Sequence, residues 1–365
     1  MNDTSRSRER LLTFITTDVC TARCASCLMR SGPGATDTLR AEDMIRVFDQ
    51  VLAERPPTVV VFSGGEPTTL GDDLLEAIAH VSLTGVMTRI VTNAGWASDT
   101  EAARSMVEVL RGAGLAELNV STDDFHARWI SPDHVVNAWR ASRGAGFTSV
   151  VVNVGEGPRS RITAERVRDV LGSPVPDVVD DAEKILPEPD PDGTRYFVVR
   201  SRLSRLGRGA SLRTDYLSPP LSDTLPGGAC DLVDPGSVVT AGGRVAVCCG
   251  SAPGGNPVLS GGDVTARPWA PAVAELGADV VVRGLRELGP GPLWELAESW
   301  GCTTLTPRPP YGNLCEVCEQ LTTSPEAVRT LRRNAAALDA VILFRRSLAA
   351  TSSLPPAQGE SHVPC

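Results

Sequence analysis

The chemistry in this sequence begins with three cysteines, Cys20, Cys24 and Cys27, in the run CTARCASC. The C-x3-C-x2-C spacing sets three thiols on one tight loop. That suits a cubane iron-sulfur cluster, because one short segment holds three corners and leaves the fourth iron open to another ligand. A structural zinc is the alternative, but zinc asks for four closed ligands, commonly two C-x2-C pairs, and here the fourth is missing. A second set lies far downstream: Cys230, twelve residues to Gly243, four more to Cys248, and later the C-x2-C pair Cys315 and Cys318. Gly243, in GGRVAVC, suits a hairpin turn that folds Cys248 back beside Cys230. Two thiolates from the hairpin and two from the pair close a four-thiolate site, for an iron-sulfur cluster or for zinc.

Two cysteines fall outside these sets. Cys249 follows Cys248 directly, and on a strand the two side chains point to opposite sides. It can replace Cys248 as a ligand, pack as a small apolar residue, or face a cavity as a hydrogen-atom donor, since a free thiol has a weak S–H bond. Cys302 reads as a packed thiol.

The elements that must position these groups follow from the apolar pattern. Six apolar runs, at 11–17, 58–64, 88–93, 116–122, 148–154 and 195–201, alternate with helix-like segments at 40–54, 71–83, 98–113, 131–144 and 162–171. This is the pattern of repeated β-α units around a parallel sheet. Ser98 or Asp99, and Ser131 with Pro132, are expected helix starts. The expected fold is α/β, a partial (β/α)6 TIM-like barrel over residues 1–215. Chemistry on such a sheet belongs at the C-terminal ends of the strands. The thiol triad follows the first run, Ser63–Pro67 follow the second, Thr92 and Asn93 end the third, and Ser121–Asp124 end the fourth.

The remaining chain changes character. Residues 173–194, rich in Pro and Asp, read as an irregular connection. Residues 216–325, dense in Gly and Pro, read as a small loop-rich domain stabilised by metal ligation more than by an apolar core. Residues 325–349 read as one amphipathic helix with an arginine-rich face, and 350–365 as a disordered tail. The N-terminus has charged residues before a short apolar run and no small-residue cleavage site, and no segment is long enough to cross a bilayer. The expected location is the cytoplasm, where ten cysteines are metal ligands or reactive thiols more readily than a disulfide framework. A formal charge of −9 argues against nucleic acid as a partner, because a phosphate backbone demands a basic face.

The triad after the first strand, with SGGEP (63–67) after the second, resembles the radical S-adenosylmethionine (SAM) superfamily. The resemblance implies a [4Fe-4S] cluster on Cys20, Cys24 and Cys27 whose open iron chelates SAM. It also implies SAM-lining roles for Gly64, Gly65, Glu66 and Pro67. Thr92 and Asn93 resemble the strand-end motif near the SAM ribose or carboxylate, and Ser121 and Asp123 one close to ribose and substrate. Capping of the next helix or turn is the other reading of these four. The residue before the third cysteine is often bulky in that family, and here it is Ser26.

Cys230, Cys248, Cys315 and Cys318 resemble the ligand pattern of a Twitch domain, the shortened relative of the SPASM domain, which carries an auxiliary [4Fe-4S] cluster. The further cysteine run of a full SPASM domain is absent, so one auxiliary cluster is expected. Relatives of this kind work in natural-product and antibiotic biosynthesis. VCCG and YGNLCEVC (311–318) resemble radical SAM proteins that modify ribosomally made peptides, by cross-linking or epimerisation. A dehydrogenase or epimerase of an aminoglycoside or sugar-type molecule is the alternative enzyme, and a noncatalytic zinc protein the non-enzyme. Expected partners are SAM, the substrate, an electron donor such as flavodoxin or ferredoxin, and a separate leader-peptide-binding protein, since little chain precedes Cys20.

Overall fold

The computed structural model describes residues 10–172, 177–179, 187–220, 222–250 and 255–352. Its centre is one ten-stranded sheet. The strands are β1 (Leu11–Thr17), β2 (Val59–Gly64), β3 (Met87–Thr92), β4 (Glu117–Thr122), β5 (Ser149–Glu156), β6 (Asp177–Val179), β7 (Arg195–Arg202), β8 (Val238–Val239), β9 (Arg244–Ala246) and β10 (Ser260–Asp263). Their order is β10-β9-β8-β1-β2-β3-β4-β5-β7-β6. All neighbours from β8 to β6 pair in parallel, and β9 and β10 turn antiparallel at one end. The fold is thus α/β, a partial barrel whose outermost strands among the described residues are β10 and β6.

The apolar runs became strands because a parallel sheet is covered on both faces, so β1 and β2 are buried almost along their length. Five helices follow the first five strands: α1 (Ala41–Glu54), α2 (Asp72–Leu83), α3 (Thr100–Gly112), α4 (Pro132–Ser142) and α5 (Ala164–Leu171). In α1, Met44, Val47, Phe48 and Val51 form the buried stripe that helical periodicity requires. Asp99 caps α3, accepting from the N–H groups of Glu101 and Ala102, and Ser131 caps α4 with Pro132 as first helical residue.

Several expectations need correction. Within the stretch expected to be irregular, β6 pairs with β7, while 173–176 and 180–186 lie outside the described residues. The region expected to be loop-rich holds four helices, α6 (Trp269–Ala278), α7 (Val280–Glu287), α8 (Pro290–Ser299) and α9 (Leu314–Thr323). It also continues the sheet, since β8 pairs with β1. The single helix expected at 325–349 is two, α10 (Pro325–Arg333) and α11 (Ala335–Ser352), broken where Asn334 leaves helical geometry. Arg332 pairs with Asp279, and α11 is tied to α7 by Arg346–Glu287 and Arg283–Asp339. The expected tail begins inside α11, and 353–365 lie outside the described residues. Among the described residues no helix is long and apolar enough to cross a membrane.

The expected hairpin is present. Gly243 sits at φ +74°, its N–H donates to Thr240 O, and β8 and β9 pair across it. Asp234 N–H then donates to Val247 O, which draws the segment after Cys230 alongside the one before Cys248.

Candidate active site and thiol centres

The triad loop leaves β1 and is held first by β2. Gly65 N–H donates to Thr17 O at 2.6 Å, and Glu66 N–H to Val19 O at 2.9 Å. The approach is so close that glycine is required: a Cβ on Gly65 would lie 2.0 Å from Val19 O, and one on Gly64, at φ +141°, 2.5 Å from Thr17 O.

Glu66 then joins the ends of two strands. Its buried carboxylate accepts from Thr68 Oγ1 (2.7 Å), Thr68 N (3.3 Å), Thr92 Oγ1 (2.7 Å) and Asn93 N (2.8 Å). Burial pushes the carboxyl up, and the bonds from Asn93, Thr68 and Thr92 oppose that push by favouring the ionised form. Thr92 Oγ1 also accepts from Ala94 N and Trp96 Nε1. Asn93 accepts from Gly95 N and turns its Nδ2 toward Thr21 Oγ1 (3.1 Å) and Cys20 Sγ (3.6 Å).

The thiols converge on a cavity of about 310 Å³ at the C-terminal ends of the strands. Cys20, Cys24 and Cys27 line it with Gly64, Gly65, Thr92, Asn93, Ser121 and Asp123. Glu66 and Pro67, expected at the cofactor, are not part of this wall. Glu66 is the internal clamp just described, and buried Pro67 starts a short 3-10 turn over 67–70. Asp123 does cap the next turn, accepting from Phe125 N (2.7 Å) and His126 N (2.8 Å), and its second oxygen lies 2.9 Å from His126 Nδ1. Burial pushes the Cys20 thiol up to about 11, with Glu66, Cys24 and Cys27 adding to the shift and the Ala22 N–H opposing it. Three thiols brought together here could serve as thiolates only around a positive centre, and a cluster iron at each sulfur would be such a centre.

A residue with no signal in the local spacing holds the loop from the far side. After β7, Arg208 donates from its backbone to Cys27 O (3.0 Å), from Nε to Cys24 O (2.8 Å) and from Nη2 to Ser31 O (2.7 Å). Gly207, at φ +54°, lies where a Cβ would come within 2.2 Å of Leu28 O. The GRG run at 207–209 is the one trace of this in the sequence, and glycines flanking an arginine do not reveal a partner so distant.

The second thiol set gathers elsewhere. Cys315 and Cys318 are one turn apart in α9, on one face, and Asn313 caps that helix by accepting from Glu316 N. A Cβ on Gly250 would sit 3.6 Å from Cys315 Sγ and 3.9 Å from Cys248 Sγ, so both sulfurs flank one point. Burial pushes Cys315 up to about 12, with Cys248, Cys230, Cys249 and Glu316 adding to it; Cys318 is raised by burial and then by Cys248, Cys315 and Cys230. Cys248 and Cys230 are therefore within electrostatic reach of both thiols of α9. Among the described residues no three His, Cys, Asp or Glu side chains are grouped tightly enough to share a single metal ion. Cys249 is exposed and absent from the wall of the triad cavity, so it is not placed there as a hydrogen donor. Cys302 is buried beside Thr304, a packed thiol as expected.

The segment 204–209 touches both centres. Ser204 Oγ accepts from Asn313 Nδ2 (2.8 Å) and Arg205 N–H donates to Glu316 Oε1 (3.0 Å), at the start of α9. Gly207 and Arg208 reach the triad loop three residues later.

Residues 14–157, which include the triad and SGGEP, match the Radical SAM superfamily. No curated protein matches the sequence. Among solved structures, the chain is similar to Streptococcus suis SuiB bound to S-adenosylmethionine, with 17% identity over 49% of this chain and 42% of that one, at a TM-score of 0.38. It therefore spans less than half of SuiB's length. It is also similar to native anSMEcpe with bound AdoMet (14% identity, 94% of this chain, 99% of that one, TM-score 0.49). BtrN in complex with AdoMet and 2-DOIA is a third (13%, 79% and 90%, TM-score 0.42).

Proposed function

We propose, from the Radical SAM match over residues 14–157, that the protein is an enzyme that cleaves SAM reductively and takes a hydrogen atom from a peptide substrate. The observation that carries this reading is the convergence of Cys20, Cys24 and Cys27 with the ends of β2, β3 and β4 on one cavity. A [4Fe-4S] cluster held by those thiols would supply the one electron that breaks the C5′–S bond of SAM, leaving methionine and the 5′-deoxyadenosyl radical. The chain's own residues do the positioning. Gly64 and Gly65 let the β2 end approach the loop, Asn93 aligns Cys20, and Arg208 fixes the carbonyls on either side of Cys27.

Cys230, Cys248, Cys315 and Cys318 would hold the auxiliary [4Fe-4S] cluster, and a one-electron donor such as flavodoxin or ferredoxin would supply reducing equivalents. With Cys249 outside the cavity, an oxidative outcome such as a cross-link, in which the substrate radical would lose its electron to the auxiliary cluster, is favoured over epimerisation. A peptide fits the surroundings because the cavity adjoins a second, solvent-exposed hollow on the same face.

Anaerobic reconstitution should give roughly eight irons per chain for two cubanes. Reduction with SAM should then release 5′-deoxyadenosine. A zinc-only protein would refute the reading, as would 5′-deoxyadenosine formation undiminished in Cys24→Ala.

A further inference from the structure

Beside the thiol cavity, the C-terminal face of the sheet carries a second hollow of about 540 Å³. Arg128, Arg159, Arg161 and Arg213 line it, with Phe125 and Tyr216. The arginines come from three separate loops, after β4, after β5 and after β7. Ala25, between the second and third thiols of the triad, is part of its wall. Residues 123–126 form the partition: Asp123 and His126 line the thiol cavity, and Asp124 and Phe125 line the hollow.

The hollow is built, not a chance gathering of exposed charge. Asp124 accepts from Arg161 N (2.7 Å) and Ile162 N (2.9 Å), which fixes the loop after β5. Asp215 pairs with Arg159 and Arg213 at 2.8 Å each, and Arg213 and Arg159 hold its carboxyl down at about 2. Arg159 stacks over the Tyr216 ring at 5.5 Å, and Tyr216 meets Phe125 edge-on at 5.7 Å. The side chains of Arg128 and Arg161 are exposed, with no ionic partner among the described residues. Against Asp124 and Asp215, the four guanidinium groups leave a local positive excess on a chain whose net charge is −9. Such an excess next to a reaction centre attracts and orients anionic groups on what reacts there.

Resting on the peptide reading above, we propose that this hollow binds acidic side chains of the peptide substrate and so presents a neighbouring residue to the thiol cavity across the 123–126 partition. Arginines spread over three loops and open to solvent suit carboxylates several residues apart on an extended chain. A compact anion would be matched by converging, enclosed donors.

The test uses the full-length protein and fluorescence anisotropy, with a fluorescein-labelled Glu/Gly dodecapeptide, its Gln/Gly counterpart and inorganic pyrophosphate as competitor. The Glu peptide should bind, more weakly as salt rises, and the Gln peptide should not. Arg128→Glu combined with Arg161→Glu should weaken binding roughly 100-fold, about tenfold for each charge-assisted hydrogen bond removed. Arg128→Lys with Arg161→Lys should retain most of it. Equal binding of the Gln peptide, or full binding by a charge-reversed protein with wild-type circular dichroism, overturns the proposal. So does pyrophosphate displacing the peptide at equal affinity, which would make this a small-anion site. Should the reversed protein misfold, the lysine variant and the Gln peptide still decide. Binding needs no turnover, so its failure leaves SAM cleavage standing, and wild-type protein that forms no 5′-deoxyadenosine refutes the cleavage reading alone.

Discussion

Replacing Arg208 with Met should loosen the triad loop by an amount that can be worked out. The side chain makes two hydrogen bonds to loop carbonyls, Nε to Cys24 O and Nη2 to Ser31 O, while the third, from the backbone to Cys27 O, survives any substitution but proline. Hydrogen bonds from a charged group contribute about 1.5–3 kcal/mol each, and the low end applies because Arg208 is half-buried and water can replace it. Losing two costs about 3 kcal/mol, which raises the open population of the loop roughly 150-fold. A lysine ammonium is a single compact donor and serves one carbonyl, so Arg208→Lys should raise it roughly tenfold. The readout is the alkylation rate of Cys24 in iron-free protein, because Cys24 is 5% exposed and reacts chiefly through opening. Cys302, at 4% exposure and not held by Arg208, is the internal control. Cys24 labelling no faster in Arg208→Met than in wild type would refute the clamp. Equal acceleration at Cys302 would show global loosening instead.

Further outcomes follow from the same geometry. Gly65→Ala drives a Cβ to 2.0 Å from Val19 O and should destabilise the fold by about 2 kcal/mol or more, read as a lower urea midpoint; an unchanged midpoint would contradict the close approach. Cys315→Ala should halve the reconstituted iron, from roughly eight to roughly four per chain, and iron at the wild-type level would show that the four thiols are not one ligand set. Cys249→Ala should leave iron content and product yield unchanged, since that thiol is exposed and outside the cavity; loss of product with SAM cleavage retained would restore it as a donor.

Much of this was legible because the relevant signals are local. The buried runs at 11–17 and 59–64 and the caps at Asp99 and Ser131 declare themselves within a few residues, and so does the C-x3-C-x2-C loop. What stayed hidden depends on distance or brevity. Arg208 meets Cys24 across 184 positions, and nothing beside it reveals that partner. Helices α6 to α8 are eight to ten residues long with Pro or Gly at or near their ends, so composition reads them as loops. The three-residue strand β6 survives in a Pro- and Asp-rich stretch because β7 offers it an edge. Glu66 was placed at the right strand end, but the four donors that its carboxylate meets, on Thr68, Thr92 and Asn93, lie partly on the next strand and leave no mark beside it in the sequence.

The contacts of residues 204–209 bear on how the two thiol centres are coupled. Ser204 and Arg205 rest on the helix that carries Cys315 and Cys318, and Gly207 and Arg208 rest on the loop that carries Cys20, Cys24 and Cys27. Six residues are too few to absorb a displacement at one end without passing it to the other. On the proposed reading, a metal bound at the downstream thiols should therefore stiffen the upstream loop, and one bound at the upstream thiols should stiffen the start of α9.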